Sequence, residues 1–322
     1  MNTVSSCIRS MPVIPLLAGL LLAGLPANAQ TLGPDFINDY TLLDLGSPPG
    51  VPSPLGGVTF LAGDPNTLLV GGAANSASGA IYSIGLTRDA EGQITGYAGT
   101  ASLFATAPYI DGGLAYGPGG TLFFAAYPTH QVGQILPGST SPDLVLSLPS
   151  SSIASSLGTL NFVPEGFPGA GSMRLMSYNG GGFYSVIMVP RGDGTFDLTE
   201  FQLLSNPGGG PEGFVYVPIG SPGFAVPSML VSEYGSGAVR TYVIDAFGAP
   251  VPASQRNFIT GLSGAEGATL DPQTNDFVFS TFSGGDRIIL VRGFVIPEPS
   301  TAALLGVAVV LLGIHYRRRR GS

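Results

Sequence analysis

Gly213-Phe214-Val215-Tyr216-Val217-Pro218, Met229-Leu230-Val231-Ser232-Glu233-Tyr234 and Ala238-Val239-Arg240-Thr241-Tyr242-Val243-Ile244 form the stretch that decides the fold. Three short runs rich in β-branched and aromatic residues follow one another, separated by Pro, Gly and Ser. That is the pattern of consecutive strands joined by turns. Apolar residues fill both alternating sets, so both faces of the small sheet must be covered.

The unit recurs along the chain. Its first strands are Gly57–Phe60, Gly113–Pro118, Thr159–Pro164, Gly213–Pro218 and Gly267–Pro272, with successive starts 56, 46, 54 and 54 residues apart. Second strands are Thr67–Val70, Thr121–Tyr127, Met173–Tyr178, Met229–Tyr234 and Asp276–Phe282, often ending in an aromatic. Third strands run over Ala80–Leu86, Gly133–Leu136, Gly182–Val189, Ala238–Ile244 and Arg287–Val291. Fourth strands lie near Ser102–Ala105, Asp143–Leu148, Asp197–Leu204 and Gln255–Ile259.

A period of about 45–55 residues with four short strands predicts an all-β chain folded as a single β-propeller. One blade cannot bury both faces alone, so the set must close into a ring. Five blades are expected, or six if one unit is misread; a pair of Ig-like sandwiches would not share the period. The fifth unit lacks a fourth strand. Tyr40–Leu45 resembles the other outer strands, and it is expected to pair with the third strand of the last blade near Arg287–Val291. With no Trp in the chain this is not a WD40 array. In architecture the units resemble extracytoplasmic NHL or SMP-30-like propellers, without a specific motif.

Both termini carry targeting patterns. Arg9, an apolar core from Val13 to Leu25 and Ala27-Asn28-Ala29 predict a signal peptide over 1–29, cleaved between Ala29 and Gln30. Cys7, the single cysteine, precedes the apolar core, so the exported chain is expected to hold its fold without disulfides. At the other end stand Pro297-Glu298-Pro299, an uncharged run over about 300–316 and Arg317-Arg318-Arg319-Arg320. Sixteen helical residues span about 24 Å, slightly short of a ~30 Å hydrocarbon core, and the arginines place the C-terminal end in the cytoplasm. Element by element, residues 296–322 resemble the PEP-CTERM sorting signal of Gram-negative bacteria. The resemblance implies Sec export, inner-membrane anchoring before processing, recognition by an exosortase and delivery to the cell surface or extracellular matrix. It also implies an exopolysaccharide or biofilm setting. Residues 30–295 are then the propeller domain.

Seven basic residues, all Arg, stand against twenty acids in residues 30–299, a formal charge of −13. Such a body has no means to neutralise phosphates, which excludes nucleic acid as a partner. Gly and Pro are abundant, but they punctuate regular apolar runs, which disorder would lack.

Catalytic motifs are sparse. His130 is the one histidine of the body and is expected to be a solvated turn residue. No zinc spacing, nucleotide loop or Gly-x-Ser-x-Gly elbow occurs. Arg191–Asp197 has oxygen ligands, but turn chemistry explains its Asp and Gly. Glu233 and Arg240 are expected to face solvent. Glu212 and Glu266 occupy the same place, directly before the glycine that opens a first strand, and Asp111 sits one residue earlier in its own unit. In a ring such positions converge at one end of the channel. The three carboxylates are turn residues in bulk water, a site for Ca²⁺, or groups that raise one another's pKa for acid–base work; apart from that Ca²⁺ no cofactor is expected. The expectation is an exported surface or matrix component, structural or binding, with no catalysis of its own. The alternative is a secreted SMP-30-like hydrolase or lactonase using a divalent metal at the channel mouth.

Overall fold

The computed structural model describes residues 30–293. The expected signal peptide, the Pro297-Glu298-Pro299 motif, the helix over 300–316 and Arg317–Arg320 lie outside the described residues. Among the described residues no helix is long and apolar enough to cross a membrane.

Two strands precede the first blade, β1 (Thr31–Leu32) and β2 (Thr41–Gly46). Blade one contains β3 (Val58–Leu61), β4 (Asp64–Gly72), β5 (Ala80–Arg88) and β6 (Ile94–Thr106). Blade two follows with β7 (Ile110–Tyr116), β8 (Leu122–Ala126), β9 (Gln131–Ile135) and β10 (Leu144–Ser147). Blade three has β11 (Leu157–Phe162), β12 (Met173–Ser177), β13 (Phe183–Pro190) and β14 (Phe196–Ser205). Blade four has β15 (Pro211–Tyr216), β16 (Ser228–Glu233), β17 (Ala238–Val243) and β18 (Arg256–Thr260). Blade five has β19 (Ala265–Leu270), β20 (Phe277–Thr281) and β21 (Ile288–Arg292). All pairings are antiparallel, and the five sheets are separate. The chain is a five-bladed β-propeller.

Closure follows the expected route. β2 forms the outer strand of blade five, with Leu42 opposite Val291 and Leu43 opposite Leu290. First strands β3, β7, β11, β15 and β19 touch in sequence, and β19 returns to β3.

Period-2 alternation explains why the ring is needed. In β20, Phe277 and Phe279 face blade four, while Val278 between them faces blade one. In β8, Phe123 and Ala125 face blade three, and Leu122 and Phe124 face blade one. The five apolar clusters are the five seams between blades. A fully buried Phe or Leu is worth about 1.5–3 kcal/mol, so most of the stability lies between blades.

Polar stitches cross each seam. Gly57 N donates to Asp111 O at 2.7 Å, and Asn161 Nδ2 to Phe214 O at 2.8 Å. Gln134 pairs with Phe196 through both N–H and C=O, at 2.9 and 2.7 Å. Tyr40 Oη donates to Pro222 O at 2.5 Å, and Ser280 Oγ to Gly56 O at 2.6 Å.

Two elements differ from expectation. The fourth strand of blade one is the thirteen-residue β6, far longer than Ser102–Ala105. Its Gly/Thr/Ala-rich start carries little hydrophobic pattern, yet Tyr97 packs on the seam to blade five and its Oη donates to Gly46 O at 3.0 Å. Blade four gains a fifth strand, β1, through Thr31 opposite Thr260 and Leu32 opposite Ile259. Two residues show no period; Phe36, buried against Phe224 and Phe258, anchors the segment.

Candidate functional site at the channel mouth

β7, β15 and β19 begin at the same end of the ring, where each presents one acid. Asp111, Glu212 and Glu266 are 1%, 4% and 1% exposed, which excludes their reading as turn residues in bulk water. One oxygen from each lies within 4.8 Å of the others. Glycines make the convergence possible. Gly56, Gly112 and Gly158 hold the sequence positions that Glu212 and Glu266 occupy in their blades. A Cβ on Gly158 would lie 2.7 Å from Glu212 Oε2, and one on Gly112 would overlap the Glu212 carbonyl oxygen.

Both Asp111 oxygens, both Glu266 oxygens and Glu212 Oε2 are buried without a hydrogen-bond partner. Burial lifts Asp111 to about 7. It also pushes Glu212 and Glu266 well above the usual carboxylate range, helped by repulsion from Asp111. Like charges this close cannot all ionise in a low-dielectric pocket. They hold protons, or a cation replaces them.

The donor set fits a hard cation. One carboxylate oxygen from each of three acids converges, and Asn75, whose Oδ1 is unpartnered, lines the cavity with Glu212 and Glu266. An all-oxygen set suits Ca²⁺ and not zinc. Among the described residues this is the one group of three or more His, Cys, Asp or Glu with the spacing of a metal site.

Above the acids stands a collar of rings. Tyr127, Tyr178, Tyr234 and Phe282 directly follow β8, β12, β16 and β20. Neighbouring rings meet edge to face at 5.8, 5.9 and 5.9 Å. In blade one Ala73 follows β4, and Asn75 lines the gap. Together with Glu212 and Glu266 these side chains enclose a cavity of about 250 Å³. The aromatics ending the second strands were visible in the sequence. Their meeting in one ring was not, because nothing local marks which turn faces the axis.

Three expectations are corrected. His130 is buried, not solvated: it sits at a φ of +56°, and its Nδ1 accepts from Leu157 N at 3.0 Å across the seam to blade three. Glu233 is buried too, at 1% exposure. Arg240 does not reach freely into solvent but pairs with it at 2.9 Å, and Tyr242, Gln255 and Ser236 also donate to its carboxylate. Burial there is structural, since every oxygen is satisfied. The Arg191–Asp197 turn behaves as turn chemistry requires, with Asp193 Oδ1 accepting from Thr195 N and Oγ1 at 2.9 and 2.5 Å.

No protein-family model matches the sequence, and no curated protein matches it. Some solved structures are similar to it. A glucose dehydrogenase is 12% identical, covering 78% of this chain and 99% of that one, with a TM-score of 0.44. A putative 6-phosphogluconolactonase from Bacteroides uniformis is 17% identical, covering 80% and 71%, with a TM-score of 0.41. A virginiamycin B lyase from Staphylococcus aureus is 13% identical, covering 80% and 100%, with a TM-score of 0.42. The expectation of a body without catalysis is corrected by these neighbours, which are named as enzymes. At such identities the likeness is one of fold, so chemistry must be argued from this chain's own side chains.

Proposed function

We propose that the channel mouth is a divalent-cation centre of a hydrolase, of lactonase type, acting on a small substrate that enters through the aromatic collar. The observation that carries this reading is the convergence of three buried, unpartnered carboxylates within 4.8 Å. A folded protein does not leave several buried acceptors unsatisfied without a reason in function, because each costs about 1–3 kcal/mol.

Asp111, Glu212 and Glu266, with the Asn75 amide oxygen, would hold the cation. A bound cation would polarise a carbonyl oxygen or acidify a water molecule. The protein's own groups do the rest. Collar rings restrict the opening and exclude bulk water, which strengthens every charge interaction beneath them. The acids exchange protons for the cation, so affinity rises with pH.

The sorting tail bears on where the protein acts. By its resemblance, delivery runs through Sec and an exosortase to the cell surface or matrix, with exopolysaccharide as the surrounding material.

The test is metal content of the purified protein, followed by melting with Ca²⁺ and with chelator. A ligand at a hundred times its Kd adds about 2.7 kcal/mol of stability. Glu212→Gln with Glu266→Gln should remove the difference and any cation-dependent lactone hydrolysis. Calcium-independent melting of the wild type, with no bound metal, would sink the reading.

A further inference from the structure

We infer that the collar of Tyr127, Tyr178, Tyr234 and Phe282 selects one uncharged cyclic molecule, a neutral sugar or its lactone, and rejects anionic ones. The inference rests on the cation reading of the floor and names the substrate class that reading leaves open.

The placing of the rings and the size of the cavity support it. The rings occupy the same place in four consecutive blades and are all half-buried, so they are an open apolar surface at a concave mouth and not core. Aromatic faces of this kind pack against the C–H face of a saturated ring, while phenol hydroxyls serve its oxygens. A cavity of about 250 Å³ admits one ring and not a chain of them.

Charge supplies the selection. No Lys, Arg or His lines the cavity. Three ionised carboxylates outweigh one divalent cation, so the floor keeps a net negative charge that disfavours a phosphorylated or carboxylated sugar. In the gap between Phe282 and Tyr127, the Asn75 amide offers the wall a hydrogen-bonding group outside the aromatic series.

Calorimetric titration of the calcium-loaded protein tests this with methyl glucoside, gluconolactone, glucuronate and tetramethylammonium. One neutral ring per protein is expected to bind, glucuronate at least about tenfold more weakly, and tetramethylammonium not at all. Tyr178→Ala should weaken the neutral ligand about tenfold or more, with the calcium-dependent melting shift unchanged; Tyr178→Phe should retain binding. Equal binding of glucuronate, or no binding of either neutral probe, overturns the inference while the calcium shift stands by itself. Tetramethylammonium binding in competition with calcium would make the collar a cage for organic cations and overturn it too. Loss of the calcium shift in the wild type would overturn the cation centre on which the inference rests, and the same titration without calcium would then decide the collar by itself, neutral-ring binding supporting it and no binding overturning it.

Discussion

Arg88 and Asp271, 183 residues apart, meet in a two-pronged ion pair of 2.6 and 3.0 Å that ties blade one to blade five. Their side chains are 8% and 0% exposed. Asp271 also accepts from Thr274 Oγ1 at 2.9 Å and Gln273 N at 3.0 Å, and Arg88 donates to Pro65 O and Gly92 O. The seam the chain must close last therefore has charge complementarity as well as apolar packing.

Removing one partner leaves the other buried and uncompensated. Arg88→Ala is expected to destabilise by about 3–5 kcal/mol in urea unfolding. Arg88→Met with Asp271→Leu should recover much of that loss. Parent-like stability of the single variant would show that the pair is solvated in solution.

Ring closure by β2 gives a second expectation. Deleting Thr41–Gly46 strips the outer ladder from β21 and exposes the seam surfaces that Leu42 and Leu43 cover. Each Leu contributes up to about 1.5–3 kcal/mol, and the freed edge invites strand pairing between molecules. Light scattering should report aggregation, and thermal melting a much lower midpoint. A deletion variant that melts like the parent would remove β2 from the ring.

His130 sets an acid-side limit. Burial pushes its pKa below the usual 6.5, so the folded state binds fewer protons than the unfolded chain once pH falls below that value. Its contribution is present above about pH 6.5 and lost as pH falls, by at most about 1.4 kcal/mol per unit. Nδ1 faces Leu157 N, and Nε2 is buried without a partner, so the imidazolium gains no counter-charge there. Between pH 7.5 and 5 the urea midpoint of the parent should fall relative to that of His130→Asn, against the rise that protonation of the buried Asp111, Glu212 and Glu266 gives both proteins.

Gly158→Ala probes the cation floor without substituting an acid. The added Cβ would crowd Glu212 Oε2 and the Pro211 carbonyl oxygen. Overpacking of this kind costs about 1–3 kcal/mol. The variant should fold, melt lower and lose most of its response to Ca²⁺. An unchanged calcium response would show that Glu212 is not a ligand.

Sorting is tested by intact mass. Protein recovered from the producing cells should begin at Gln30 and lack Arg317–Arg320. Full-length chain in cells that possess an exosortase would leave a plain tail anchor.

Blade order was legible because alternation of Val, Leu, Phe and Tyr is a local property, repeated at a near-constant spacing. Closure was legible for a related reason: one unit lacked a strand, and one orphan strand stood at the other end. The acid triad was half legible. Register placed Glu212, Glu266 and Asp111 at equivalent points, but their burial depends on Gly112 and Gly158 of other blades, which local reading takes for turn glycines. Glu233 and His130 were misread because their partners, Tyr242, Gln255 and Leu157, are set by pairings between strands and blades.

The sequence by itself determined the period and most of the strands, since these follow from side-chain alternation and turn residues along a short stretch of chain; the structure settled the count at five blades and added β1 and the start of β6. Only the tertiary structure decided which acids are satisfied and which are bare, and which aromatics share one rim. The physical reason is the ring: closing it brings five separate turns to one axis, where burial and mutual repulsion give the carboxylates a chemistry none would have alone.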